Sequence, residues 1–218
     1  MFAQSLMNTF EEWGRLWQAV GGRGDARPCY ERLAQAYSEP HRYYHNFRHV
    51  TECLDVFDSA RHLAGHPEVV EMAIWFHDAV YDTRSSDNEE RSAVLARQCL
   101  LEAGVGDDFV DTVSRLILAT KNHDATTEDD APVMVDVDLS IFGQSEARFD
   151  EYEAQIRQEY SWVPRTIFVA RRTEILERFL SREHIYTTHF FDQKFEQLAR
   201  RNIQGSLRRL RSMVTWPK

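Results

Sequence analysis

A histidine and an aspartate stand side by side, His77-Asp78, inside Met72-Ala-Ile-Trp-Phe-His-Asp-Ala-Val-Tyr-Asp82, one of the most apolar runs of the chain. On a helix the neighbours of His77 three and four positions away are Ala73, Ile74, Val80 and Tyr81, so that face should be buried. A buried ionised carboxylate beside a buried imidazole is destabilising unless something compensates both. One metal ion does so, because it uses neutral imidazole and charged carboxylate together. Such a site asks for more ligands, and candidates lie on both sides. Upstream, in Tyr44-His-Asn-Phe-Arg-His-Val50, His49 precedes His77 by 28 residues. Downstream, Val133-Met-Val-Asp-Val-Asp-Leu-Ser-Ile-Phe142 holds Asp136 and Asp138.

If the downstream segment is helical, its two aspartates point in roughly opposite directions. Asp138 then shares a face with Met134, Val135, Ile141 and Phe142, and Asp136 with Pro132, Val133, Leu139 and Ser140. Asp138 is therefore expected to be the carboxylate that points into an apolar interior, with Asp136 the alternative. The set His49, His77, Asp78 and Asp138 gives two imidazoles and two carboxylates on three separate helices. Such nitrogen and oxygen donors suit one divalent Mn, Fe, Co, Ni or Zn ion, with positions left for water and substrate.

The order His, His-Asp, Asp at these spacings resembles the HD superfamily of metal-dependent phosphohydrolases. More narrowly, the chain is similar to a bacterial group described as predicted HD phosphohydrolases. The matching pieces are Arg42-Tyr-Tyr-His-Asn46, Trp75-Phe-His-Asp-Ala-Val-Tyr-Asp82, Asn88-Glu-Glu-Arg-Ser92, Ala119-Thr-Lys-Asn-His123, Asp136-Val-Asp-Leu-Ser140 and Ile156-Arg-Gln-Glu-Tyr160. They run through most of the chain. The resemblance implies a compact all-α HD-domain fold and hydrolysis of a phosphate ester or anhydride, with a nucleotide or related small phosphorylated molecule as substrate. Asp138 is also the aspartate that the resemblance selects. Related (p)ppGpp hydrolases carry Glu-Asp-Thr after the pair, and here Tyr81 stands at the glutamate position. Two-metal members use further histidines before the final aspartate. Only His123 falls in that interval here, which favours one metal.

The remaining roles go to the flanks. Asp82, one helical turn beyond Asp78, is a candidate to orient a ligand or carry a proton. Glu89 is a second such carboxylate, or simply an acidic residue favouring a helix start. His123 is a candidate proton-relay or phosphate-contacting residue. His45 sits where a helix begins, and with Lys121 and Arg157 it is a candidate for substrate contact. Trp75 and Phe76 read as core, not as base-stacking platforms.

At 218 residues, with 43% hydrophobic and 28% charged residues, the chain can bury a core of its own. The reading is one helical domain, residues 1–218, with the metal-site region at about 40–142 and C-terminal helices at about 145–213. Nine or ten helices are expected, opened by signals such as Thr9-Phe-Glu-Glu12, Asn46, Pro67 and Asp87. The fourth is expected to continue through His77 and Asp78. No run approaches the roughly 20 apolar residues of a membrane span, and the N-terminus does not read as a signal peptide. Three spaced cysteines, Cys29, Cys53 and Cys99, suggest a reducing cytoplasm and not a disulfide framework. The net charge of −9 argues against general nucleic-acid binding, although residues 194–218 hold seven Lys/Arg and one Glu. The sequence leaves oligomeric state open. Two other functions fit the same residues: an iron-dependent oxygenase on this scaffold, and a metal-stabilised sensor without turnover.

Overall fold

Helix follows helix, as the periodicity predicts, and the described residues contain no strand. The structure is a computed structural model that describes residues 2–123 and 130–214, with the backbone alone for 2–8 and 214. Among the described residues there are ten α-helices: α1 Phe2–Ala19, α2 Arg27–Ala36, α3 Phe47–Ala60, α4 Pro67–Phe76, α5 Asn88–Glu102, α6 Asp107–Ala119, α7 Ala131–Asp138, α8 Glu146–Glu159, α9 Arg165–Leu180 and α10 His189–Val214. Short 3₁₀ turns occupy Arg61–Leu63 and Leu139–Gly143. They sort into two compact units, Met1–Val137 and Asp138–Lys218. No described helix is long and apolar enough to cross a membrane.

In the first unit α4 is apolar on almost every side, and Val69, Val70 and Met72–Phe76 are all buried. A helix of that kind belongs in the middle of a core. Trp75 and Phe76 are core, as expected, and Trp13 packs edge-on to Trp75 and Phe76 at ring separations of 5.4 and 6.0 Å. Pro67 opens α4 where a missing N–H costs nothing. Asn46 caps α3 by accepting from the Arg48 amide at 2.9 Å. The α5–α6 turn is set by Gly104, at φ +73°, with Val105 N–H donating to Leu100 O and Gly104 N–H to Leu101 O. That left-handed closure is one a glycine adopts without strain.

In the second unit α10 crosses the Leu139–Gly143 turn. A Cβ on Gly143 would collide with the Phe195 side chain, so the residue must be glycine for the two to meet. Asn202 donates to the Phe142 and Gln144 carbonyls, at 2.8 and 2.9 Å, and Tyr186 Oη donates to Leu139 O at 3.1 Å. The buried Arg172 guanidinium pairs with Glu153 and donates to Tyr152 Oη.

Candidate metal centre

His49 comes from the first turn of α3, which Asn46 caps. His77 is the residue at which α4 stops. Asp138 is the last residue of α7, whose other residues belong to the first unit. His49, His77 and Asp138 each offer a ligand atom, and these atoms lie within 4.8 Å of one another. Asp78 joins them: its Oδ2 is 3.1 Å from His77 Nε2 and 3.5 Å from His49 Nε2. The two Nε2 atoms are 3.1 Å apart. Donors held about 2.0–2.2 Å from one ion, at angles from right to tetrahedral, stand about 2.8–3.6 Å from each other. The three measured separations fall inside that range.

The protons make the same point. His77 Nδ1–H donates to the Ile74 carbonyl at 2.9 Å, which leaves a lone pair on Nε2. His49 Nε2 and Asp78 Oδ2 both face that atom. A carboxylate of Asp138 adds a further acceptor. Such a set is stabilised by a cation at its centre. Burial alone would raise the Asp78 carboxyl, but His77, His45 and His49 outweigh it and hold Asp78 well below the usual carboxylate range.

The helix that carries the pair ends at Phe76 and does not run on through Asp82 as expected. Side chains from outside take over the backbone that follows. Arg42, only 6% exposed, donates to Asp78 O at 2.5 Å, Ala79 O at 3.0 Å and His45 O at 3.2 Å. Ser92 Oγ accepts from Val80 N–H at 3.0 Å, and His41 Nε2 lies 3.0 Å from Tyr81 O. Asn88 brackets Asp82, accepting from its N–H and donating to its C=O, each at 3.0 Å. Polar groups that a helix would have satisfied internally are thus satisfied by side chains from its neighbours. Sequence reasoning quoted Arg42, Asn88 and Ser92 within motifs but gave them no role. The signal available was a cation and two small polar residues flanking an apolar run.

The other expected residues divide. His45 stacks on Tyr81 at 4.1 Å and contributes positive potential at Asp78. Asp82 no longer shares a helical face with Asp78. It is exposed, and its Oδ1 accepts from the Arg84 amide at 2.9 Å. Lys121 pairs with Glu90 at the surface, and His123 follows in a turn with left-handed backbone, φ +50°. Arg157 closes the end of its own helix, donating to Tyr160 O at 2.6 Å and Val163 O at 3.2 Å, with Phe168 beneath it.

Asp136 and Asp138 also differ from the reasoning that separated them. Asp136 is fully buried and Asp138 is half-buried. The physical reason is that α7 is enclosed nearly all round, so the apolar face does not distinguish the two. Asp138 is distinguished by facing His49 and His77.

Glu89 is a further carboxylate whose ionisation the Asp78 charge affects. It is half-buried in the first turn of α5. Burial raises its pKa and the Asp78 charge adds to that, against its own backbone amide and Lys121.

No family model, curated protein or solved structure matches the chain. The buried His49, His77 and Asp138 group is compatible with a metal-dependent enzyme.

Proposed function

We propose that the protein is a metal-dependent phosphohydrolase of the HD type, acting on a nucleotide or a related small phosphorylated molecule. The observation that carries the proposal is the convergence of His49, His77 and Asp138, with the Asp78 carboxylate against both histidines. These four residues would hold one divalent ion. When bound, such an ion supplies Lewis acidity, which acidifies water and polarises a phosphoryl oxygen. Ile74 O fixes the His77 ring in the tautomer that ligates. Arg42 fixes the backbone from which Asp78 projects. Glu89 replaces Asp82 as the group that takes a proton from water, because it is half-buried and feels Asp78. Lys121 and His45 supply positive charge for a substrate phosphate. His123 keeps the proton-relay role read for it from the sequence.

The test is elemental analysis of the purified protein, then phosphate release from nucleotides, sugar phosphates and phosphodiesters with Mn, Co, Ni, Mg or Zn. His77→Ala should lose metal and turnover together. Metal-loaded protein that releases phosphate from none of these substrates overturns the proposal. Oxygen uptake by the iron-loaded form would then favour an oxygenase.

A further inference from the structure

Away from the histidines, two of the three cysteines meet. Cys29 on α2 and Cys99 on α5 are both buried, and their thiols are in hydrogen-bond contact. They line one cavity of about 240 Å³ together with Trp17, Arg23, Arg32 and Glu102. Arg32 also hydrogen-bonds the Cys99 sulfur. A thiol against a guanidinium, with a second thiol in contact and a cavity large enough for a small oxidant, has the parts of a reactive dithiol.

We propose that Cys99 and Cys29 form a peroxide-sensitive pair, in which Cys99 is oxidised first and Cys29 closes a disulfide joining α2 to α5. Contact with Cys29 and the charge of Arg32 lower the Cys99 thiol against its burial. Contact with Cys99, and then burial, push Cys29 up. Cys99, the sulfur that the Arg32 guanidinium hydrogen-bonds, is the attacking sulfur and Cys29 the resolving thiol. In the first step the Cys99 sulfur attacks one oxygen of hydrogen peroxide. The O–O bond breaks, a sulfenic acid forms and the other oxygen leaves as water. In the second step the Cys29 sulfur attacks Cys99 Sγ. The S–S bond forms, the S–O bond breaks, and hydroxide leaves with the Cys29 proton as a second water. Two thiols and one peroxide give one disulfide and two waters. Cys53, buried as well, is placed differently, with its sulfur 3.7 Å from His49 Nδ1.

The experiment uses the full chain, reduced and then exposed to hydrogen peroxide, with peptide mapping under non-reducing conditions. The expected product is a Cys29–Cys99 linked peptide pair with Cys53 still reduced, and a Tm higher by about 5 °C or more. Reductant should reverse both changes. Cys29→Ser should stop at a Cys99 sulfenic acid, captured by dimedone, and Cys99→Ser should leave Cys29 unmodified over the same time. Circular dichroism checks that each variant is folded. Oxidation of Cys53 ahead of the pair overturns the proposal, as does a folded Cys29→Ser protein whose Cys99 gives no dimedone adduct.

Discussion

Replacing Arg42 by Met isolates the clamp on the loop after His77, because it keeps a stem of similar length and removes the guanidinium. Arg42 donates to three main-chain carbonyls, of His45, Asp78 and Ala79, and to Glu39 Oε2 at 2.9 Å. An orphaned buried acceptor costs about 1–3 kcal/mol, so three would cost about 3–9 kcal/mol if none found water. Asp78 is half-buried, so water can reach part of the gap. The pair with the exposed Glu39 adds at most about 1 kcal/mol. The expected loss is about 3–5 kcal/mol, or a Tm lower by about 6–20 °C. Metal affinity should fall by about 10–100-fold although no ligand is changed. Arg42→Lys should lie between, since one ammonium cannot span three carbonyls. Urea unfolding of the metal-free protein measures the first quantity, and metal titration the second. Arg42→Met protein that unfolds within about 1 kcal/mol of the parent and binds metal equally would refute the clamp.

Asp138→Asn should lose bound metal on gel filtration while Asp136→Asn retains it, and the opposite pattern would reassign the ligand. Glu89→Gln should keep metal but lower kcat by roughly 10²–10⁴-fold, whereas Asp82→Asn should change it little. A base acts when deprotonated, and burial with Asp78 raises Glu89 above the ordinary 4.5. Activity should therefore climb with pH through that raised value. An acid limb unchanged in Glu89→Gln would assign it to another group.

Helices were legible because their signals are local. Asn46 as a cap and Pro67 in a first turn each act within a few residues. The ligand set was legible in part because a charge in an apolar run needs compensation wherever the chain goes. What was not legible was the point at which α4 stops. Nothing from Trp75 to Asp82 breaks a helix by itself, since the run holds neither Gly nor Pro. The break is imposed by Arg42, Ser92 and Asn88, from other parts of the sequence. Tertiary partners that outbid a local preference leave no periodic trace. The same loss of phase removed Asp82 from its expected place. Burial on all sides of α7 likewise erased the face that was meant to separate Asp136 from Asp138.

The ligands sit at helix ends, and this gives their alignment a simple mechanical basis. The Asp130 side chain, just before α7, accepts from Gly65 N–H at 2.7 Å and His66 N–H at 2.8 Å, just before α4. A buried carboxylate thus ties the starts of the two helices and answers the positive end of α4. At about 1.5 Å per residue, α4 advances about 15 Å from Pro67 to His77 and α7 about 10 Å from Ala131 to Asp138. Tied at one end, the two helices carry His77 and Asp138 at their other ends, where ligand atoms of the two lie within 4.8 Å of each other. Asp130→Ala should therefore weaken metal binding by about 10-fold or more from a position at the far ends of both helices. It should also cost about 2–4 kcal/mol, for two orphaned amides. Comparing metal titrations at a temperature where the variant is fully folded separates the two effects. An Asp130→Ala protein that is less stable yet binds metal like the parent would show that the tie supports the fold and not the alignment.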